Sequence, residues 1–117
     1  MSTCILIVSE SPDVGEIIET RVKKSGNLGY VAHCDTVTAN RLLQHVFVDL
    51  LILDMAETDE GYADLVELVR RKNPNAQVIL MTERLVPMPI ELRAENCFHV
   101  ARFNFGCLKE VLHALTS

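Results

Sequence analysis

Tryptophan is absent from this chain of 117 residues, and its aromatic side chains are two tyrosines and four phenylalanines. A core of large stacked rings is therefore excluded, and the interior must be filled by aliphatic residues. No apolar run approaches the roughly 20 residues of a membrane-spanning helix. The N-terminus has no basic region followed by an apolar stretch and a small-residue cleavage site, so the expectation is a cytoplasmic protein without a membrane partner. The four cysteines, Cys4, Cys34, Cys97 and Cys107, contain no Cys-x-x-Cys pair. Buried free thiols are favoured over a disulfide framework or a thiolate metal site. An excess of positive charge is missing too, since 11 Lys and Arg stand against 16 Asp and Glu for a net charge of −5. That balance argues against a nucleic-acid partner. The dense basic run Arg70-Arg71-Lys72 falls at an expected helix end, where solvation and the helix dipole account for it.

What is present is a hydrophobic share of 49 %, concentrated in short runs, and a length that buries the core of one domain over 1–117. The run around which the others are organised is Val48-Asp49-Leu50-Leu51-Ile52-Leu53-Asp54. Successive apolar positions suit a strand covered on both faces, the middle of a parallel sheet. Asp54 then closes the strand at its carboxyl end, the edge where open α/β sheets bind ligands. A plain capping role for Asp54 is the competing reading.

Taken in order, Cys4-Ile5-Leu6-Ile7-Val8 predicts the first strand, and Ser11 caps a helix that opens on Pro12. Val14, Ile17, Ile18 and Val22 recur at helical spacing to about Lys24. Tyr30 to Cys34 predicts a second strand. Thr36 or Thr38 caps the next helix, where Ala39, Leu42, Leu43 and Val46 share a face. After the acidic loop Met55–Glu60, Leu65, Leu68 and Val69 mark a third helix that Asn73-Pro74-Asn75 stops. Gln77 to Thr82 is the fourth strand, and Pro87 and Pro89 shorten any helix between Glu83 and Asn96. Cys97 to Arg102 is the fifth strand, and Leu108, Val111, Leu112 and Leu115 form a last amphipathic helix. Strands alternating with helices call for parallel β-α-β units with right-handed crossovers. Their carboxyl ends bring Ser9, Glu10, Asp54, Thr82, Glu83 and Arg102 to one rim. No Gly-rich phosphate loop follows the first strand, so an enzyme or a flavin-binding protein on such a scaffold is disfavoured.

Ile5-Leu6-Ile7-Val8, Asp49-Leu50-Leu51-Ile52-Leu53-Asp54 and Val78-Ile79-Leu80-Met81-Thr82 together resemble the receiver domain of bacterial two-component response regulators over nearly the whole chain. The resemblance implies a doubly wound, flavodoxin-like three-layer sandwich with a five-stranded parallel sheet in the order 2-1-3-4-5. It implies a non-enzymatic phosphorelay module, with Asp54 as phosphoacceptor from a histidine kinase or phosphotransfer protein and a downstream effector protein or domain as output. It leaves a homodimer open. Mg²⁺ would be held by Glu10, Asp54 and the backbone carbonyl near Ala56, while Thr82 and Arg102 would contact the phosphoryl oxygens. The chain departs from the family pattern at several of these places. Ser9 stands in the first position of the family's acid pair, which removes a negative charge and weakens the metal. Arg102 replaces a lysine and Phe103 a proline, and a planar guanidinium is not interchangeable with an ammonium. Glu83 stands where relatives have a small residue, and His99 falls near the aromatic switch position. These departures keep a second expectation alive, a pseudo-receiver that works as a protein-interaction module without phosphorylation.

Overall fold

The apolar runs pair side by side, and the segments between them coil over the two faces they leave. In the computed structural model the described residues are 3–24, 29–55, 61–82, 97–101 and 104–116. The order is β1 (Cys4–Val8), α1 (Pro12–Lys24), β2 (Tyr30–Cys34), α2 (Thr36–Leu43), β3 (Leu50–Met55), α3 (Gly61–Lys72), β4 (Gln77–Thr82), β5 (Cys97–Ala101) and α4 (Phe105–Thr116). The strands lie in the order β2-β1-β3-β4-β5, and every neighbouring pair is parallel. The expected α/β class and strand order are therefore what the chain adopts.

β3 is central because both of its faces are apolar. Leu51 and Leu53 pack with Ala39 and Leu43 of α2 and Leu65, Val66 and Val69 of α3. Leu50 and Ile52 pack on the other side with Ile18 and Val22 of α1 and Leu108 and Leu112 of α4. Strand alternation divides the side chains this way, and two separate cores result. The entry to β3 is pinned by polar bonds. The backbone N–H of Cys4 donates to Asp49 Oδ2 at 2.8 Å. Asn73, buried just past α3, donates from Nδ2 to the carbonyl of Val48 at 3.1 Å and accepts from the N–H of Asn75 at 3.1 Å. The residue that stops the helix thus also satisfies a carbonyl that burial would otherwise strand.

Several local expectations change. The cap of α2 is Asp35, whose side chain accepts from the N–H of Thr38 at 2.8 Å; that bond holds its carboxyl below the usual range. A carboxylate outcompetes a threonine there because the donors at a helix start favour a full negative charge. α2 ends at Leu43, so Val46 lies beyond it, and Val46 and Leu42 are 38 % and 37 % exposed while Ala39 and Leu43 are buried. Ile17 on α1 is likewise 44 % exposed. The cysteines are free but only partly buried. Ser11 caps α1 as expected, with its Oγ 3.3 Å from the N–H of Val14.

α1 carries one close approach that its apolar stripe does not reveal. A Cβ at Gly15 would stand 2.8 Å from Cδ2 of His33 on β2, so only glycine lets the helix lie this near the strand. The ring of His33 is held from its other side by Glu19, Nδ1 to Oε1 at 3.1 Å, and Glu19 also pairs with Lys23 at 3.1 Å. Partial burial pushes the Glu19 carboxyl up, but the bonds from His33 and Lys23 outweigh it and hold the group below its ordinary value.

Candidate functional site

Ser9 follows β1 and Asp54 lies near the end of β3, and these strands are direct neighbours, with Val8 opposite Leu53. Continuing the register puts Ser9 beside Asp54. Both side chains are buried, at 4 % and 3 % exposure. Ser9 Oγ donates to Asp54 Oδ2 at 2.8 Å. The same oxygen lies 3.1 Å from the carbonyl of Ser11 and 3.2 Å from its N–H. A hydroxyl has one proton. The shorter contact to the carboxyl group takes it, while the oxygen accepts from Ser11 N–H. Ser9 therefore ties the phosphoacceptor candidate Asp54 to the start of α1.

Glu10 turns the other way. It is exposed, and its Oε1 accepts from the backbone N–H of Thr36 at 3.1 Å and from the Thr36 hydroxyl. A carboxylate at the first turn of α2 is favoured by the helix dipole. Below it, the Cys34 thiol is pushed up to about 11, first by burial and then by the neighbouring Asp35 and Glu10. That thiol is a poor nucleophile at neutral pH.

At the end of β4, Thr82 stands opposite Met55 on one side and Ala101 on the other. Its Oγ1 is 2.5 Å from Nε2 of His99 on β5. Alternation places Ser9 and Asp54 on the α1–α4 side of the sheet, in line with Ile7 and Ile52. Thr82 and His99 continue the opposite row, with Leu80 and Cys97. Among the described residues the carboxyl edge holds the bonded pairs Ser9–Asp54, Glu10–Thr36 and Thr82–His99. Ala56, Glu83, Arg102 and Phe103 lie outside the described residues. The Thr82–His99 pair is a feature that no sequence pattern announced, although a hydroxyl and an imidazole at the ends of two predicted strands was a usable signal.

The donors at this edge are hard oxygens, the kind Mg²⁺ prefers. Their arrangement is sparse, however, because Glu10 is engaged with Thr36 and Ser9 offers a neutral oxygen. Among the described residues no three His, Cys, Asp or Glu side chains gather as a metal cluster. Such an ion would be held by Asp54, and Glu10 would have to leave Thr36 to join it.

No protein-family model matches the chain, and no curated protein matches it in sequence. Its fold is that of response regulator receiver domains. The response regulator TrrA from Thermotoga maritima in complex with Mg(2+)-BeF superimposes with a TM-score of 0.76 at 25 % identity, over 97 % of this chain and 98 % of that one. A chain of the complex between the histidine kinase ThkA and TrrA gives 0.78 at 24 % identity, over 98 % and 99 %. A CheY-like receiver domain from Methylobacillus flagellatus gives 0.77 at 14 % identity, over 98 % and 99 %. No helix among the described residues is long and apolar enough to cross a membrane.

Proposed function

We infer that this chain is a cytoplasmic phosphorelay receiver module with a divergent site, in which Asp54 accepts a phosphoryl group from a histidine kinase or phosphotransfer protein. The observation that carries the reading is Asp54 itself, a buried acid at the carboxyl end of the central strand, positioned by Ser9. Phosphoryl transfer asks a protein for positioning and for neutralisation of charge on the equatorial oxygens. Asp54 supplies the attacking oxygen, and Thr82, which continues the opposite row and bonds His99, is proposed to reach the phosphoryl group by leaving His99 and turning over the sheet edge. Arg102 is the cation proposed to pair with the phosphoryl group. Mg²⁺, when bound, supplies the remaining positive charge. With Ser9 in place of an acid and Glu10 drawn to Thr36, its affinity is expected to be low. The module itself is not an enzyme, and its output passes to an effector protein or domain. The neighbour TrrA, whose structures include Mg(2+)-BeF and a histidine kinase, supports the metal and the kinase as proposals for this chain.

A second reading has its own observation. The Glu10–Thr36 bonds favour a pseudo-receiver whose rim is tied down and whose role is protein interaction. Amide NMR during titration with Mg²⁺ and beryllofluoride separates the two. The phosphoacceptor reading predicts shifts centred on Asp54 and Thr82 that are absent in Asp54→Asn; an unchanged spectrum at millimolar metal would leave the pseudo-receiver.

A further inference from the structure

The two helices on the Asp54 side of the sheet leave a cleft between them that the phosphoacceptor reading does not use. Its volume is about 250 Å³. Its floor is apolar, formed by Phe105, Leu108 and Leu112 of α4, and its rim is cationic, formed by Arg21 and Lys24 of α1 and Lys109 of α4. No acidic residue lines it among the described residues. The rim is exposed and the floor includes core residues, since Leu108 and Leu112 are each 1 % exposed.

The charges are the unusual part. Acidic residues outnumber basic ones in the chain by 16 to 11, yet three cations converge here and none of them makes an ion pair among the described residues. The lysine next to this group, Lys23, is by contrast matched to Glu19. Arg21 is not loose either. Its guanidinium lies 5.0 Å from the centroid of the Phe105 ring, an arrangement that holds a cation over an aromatic face. A guanidinium held over a ring keeps a planar fork of N–H donors that suits carboxylate oxygens.

We propose that the α1–α4 cleft is a docking site for an acidic protein segment, which sets one apolar side chain against the partly exposed Phe105 and the aliphatic stems of the rim while flanking carboxylates meet Arg21, Lys24 and Lys109. The volume fits one large side chain better than a drug-sized ligand, whose pockets span about 300–1,000 Å³. The mixed character excludes a bare inorganic anion as the best match, because an anion would leave the apolar floor wet. Charge complementarity of this kind sets partner choice and association rate. The proposal does not depend on Asp54, and its test needs no phosphorylation.

The test is a random-peptide display selection on the full chain, counter-selected against the Arg21→Glu/Lys109→Glu double variant. Both positions are exposed, and an amide NMR spectrum of the variant confirms its fold. Lys24→Glu serves as a second variant. The expected outcome is enrichment of peptides with Asp or Glu flanking an apolar residue. They should shift the amide signals of Arg21, Phe105 and Lys109, and weaken about tenfold or more on charge reversal, equivalent to about 1.4 kcal/mol. Their affinity should also fall as salt rises. Neutral or basic consensus peptides, peptides that map to another surface, or equal binding to the reversed variants would overturn the proposal. So would the absence of any enriched sequence, or binding of anionic lipid vesicles without acidic peptides.

Discussion

Ser9 and Asp54, 45 positions apart in sequence, are joined by a buried 2.8 Å hydrogen bond in which the serine donates. The bond exists because β1 and β3 are neighbours in register, so that residues at their carboxyl ends face one another. It makes Ser9 one of the residues that hold Asp54.

Replacing Ser9 therefore has two opposite effects. Ser9→Ala leaves Asp54 Oδ2 without this donor, and the expected cost is about 1–3 kcal/mol in urea unfolding. Ser9→Asp adds a carboxylate beside Asp54, which raises Mg²⁺ affinity by about tenfold, or roughly 1.4 kcal/mol. Amide NMR titration with MgCl₂ reads the difference, and equal affinities in the two proteins would contradict the assigned role.

Gly15 sets up a test of helix-to-strand packing. In an exposed helix, glycine to alanine gains about 1 kcal/mol. Here the new methyl would lie 2.8 Å from the His33 ring, which Glu19 holds in place. Gly15→Ala should therefore destabilise the protein, whereas the same change made in a His33→Ala background should stabilise it. A gain from Gly15→Ala alone would contradict the close approach.

Glu19 contributes a defined pH dependence. Its folded carboxyl is held below the ordinary value by His33 and Lys23, against the push of burial. A depressed acid stabilises the fold above its unfolded value, about 4.3, and that contribution disappears as pH falls through the lower folded value. Partial solvent exposure keeps the effect small. Urea midpoints measured between about pH 6 and 3 should fall less steeply in Glu19→Gln than in wild type, and parallel profiles would remove the proposed linkage.

The central strand supplies the largest stability effect. Ile52 is fully buried among side chains of α1, α4 and the adjoining strands, so Ile52→Ala should cost about 2–5 kcal/mol. Thermal unfolding close to that of wild type would contradict two-sided burial of β3.

The pattern of runs was legible because it follows from burial. Doubly covered strands leave unbroken stretches such as Leu50 to Leu53, and a carboxylate ending the middle one stands out. The order of the strands came from family resemblance, since periodicity carries no information about neighbours. The cap of α2 was expected at Thr36 or Thr38 and lies at Asp35 instead, a choice explained by charge at the helix start and by Thr36 being taken up by Glu10. Leu42 and Val46 looked like one helical face, but α2 ends before Val46 and the face is broken. The pairings Glu10–Thr36 and Thr82–His99 depend on which way side chains turn at the sheet edge, and spacing along the chain does not fix that direction.

The most direct measurement is intact mass spectrometry after incubation with millimolar Mg²⁺ and a small phosphodonor such as acetyl phosphate. Wild-type protein should gain one phosphoryl group, slowly, and Asp54→Asn should gain none. An unmodified wild type, or equal modification of Asp54→Asn, would contradict Asp54 as the phosphoacceptor.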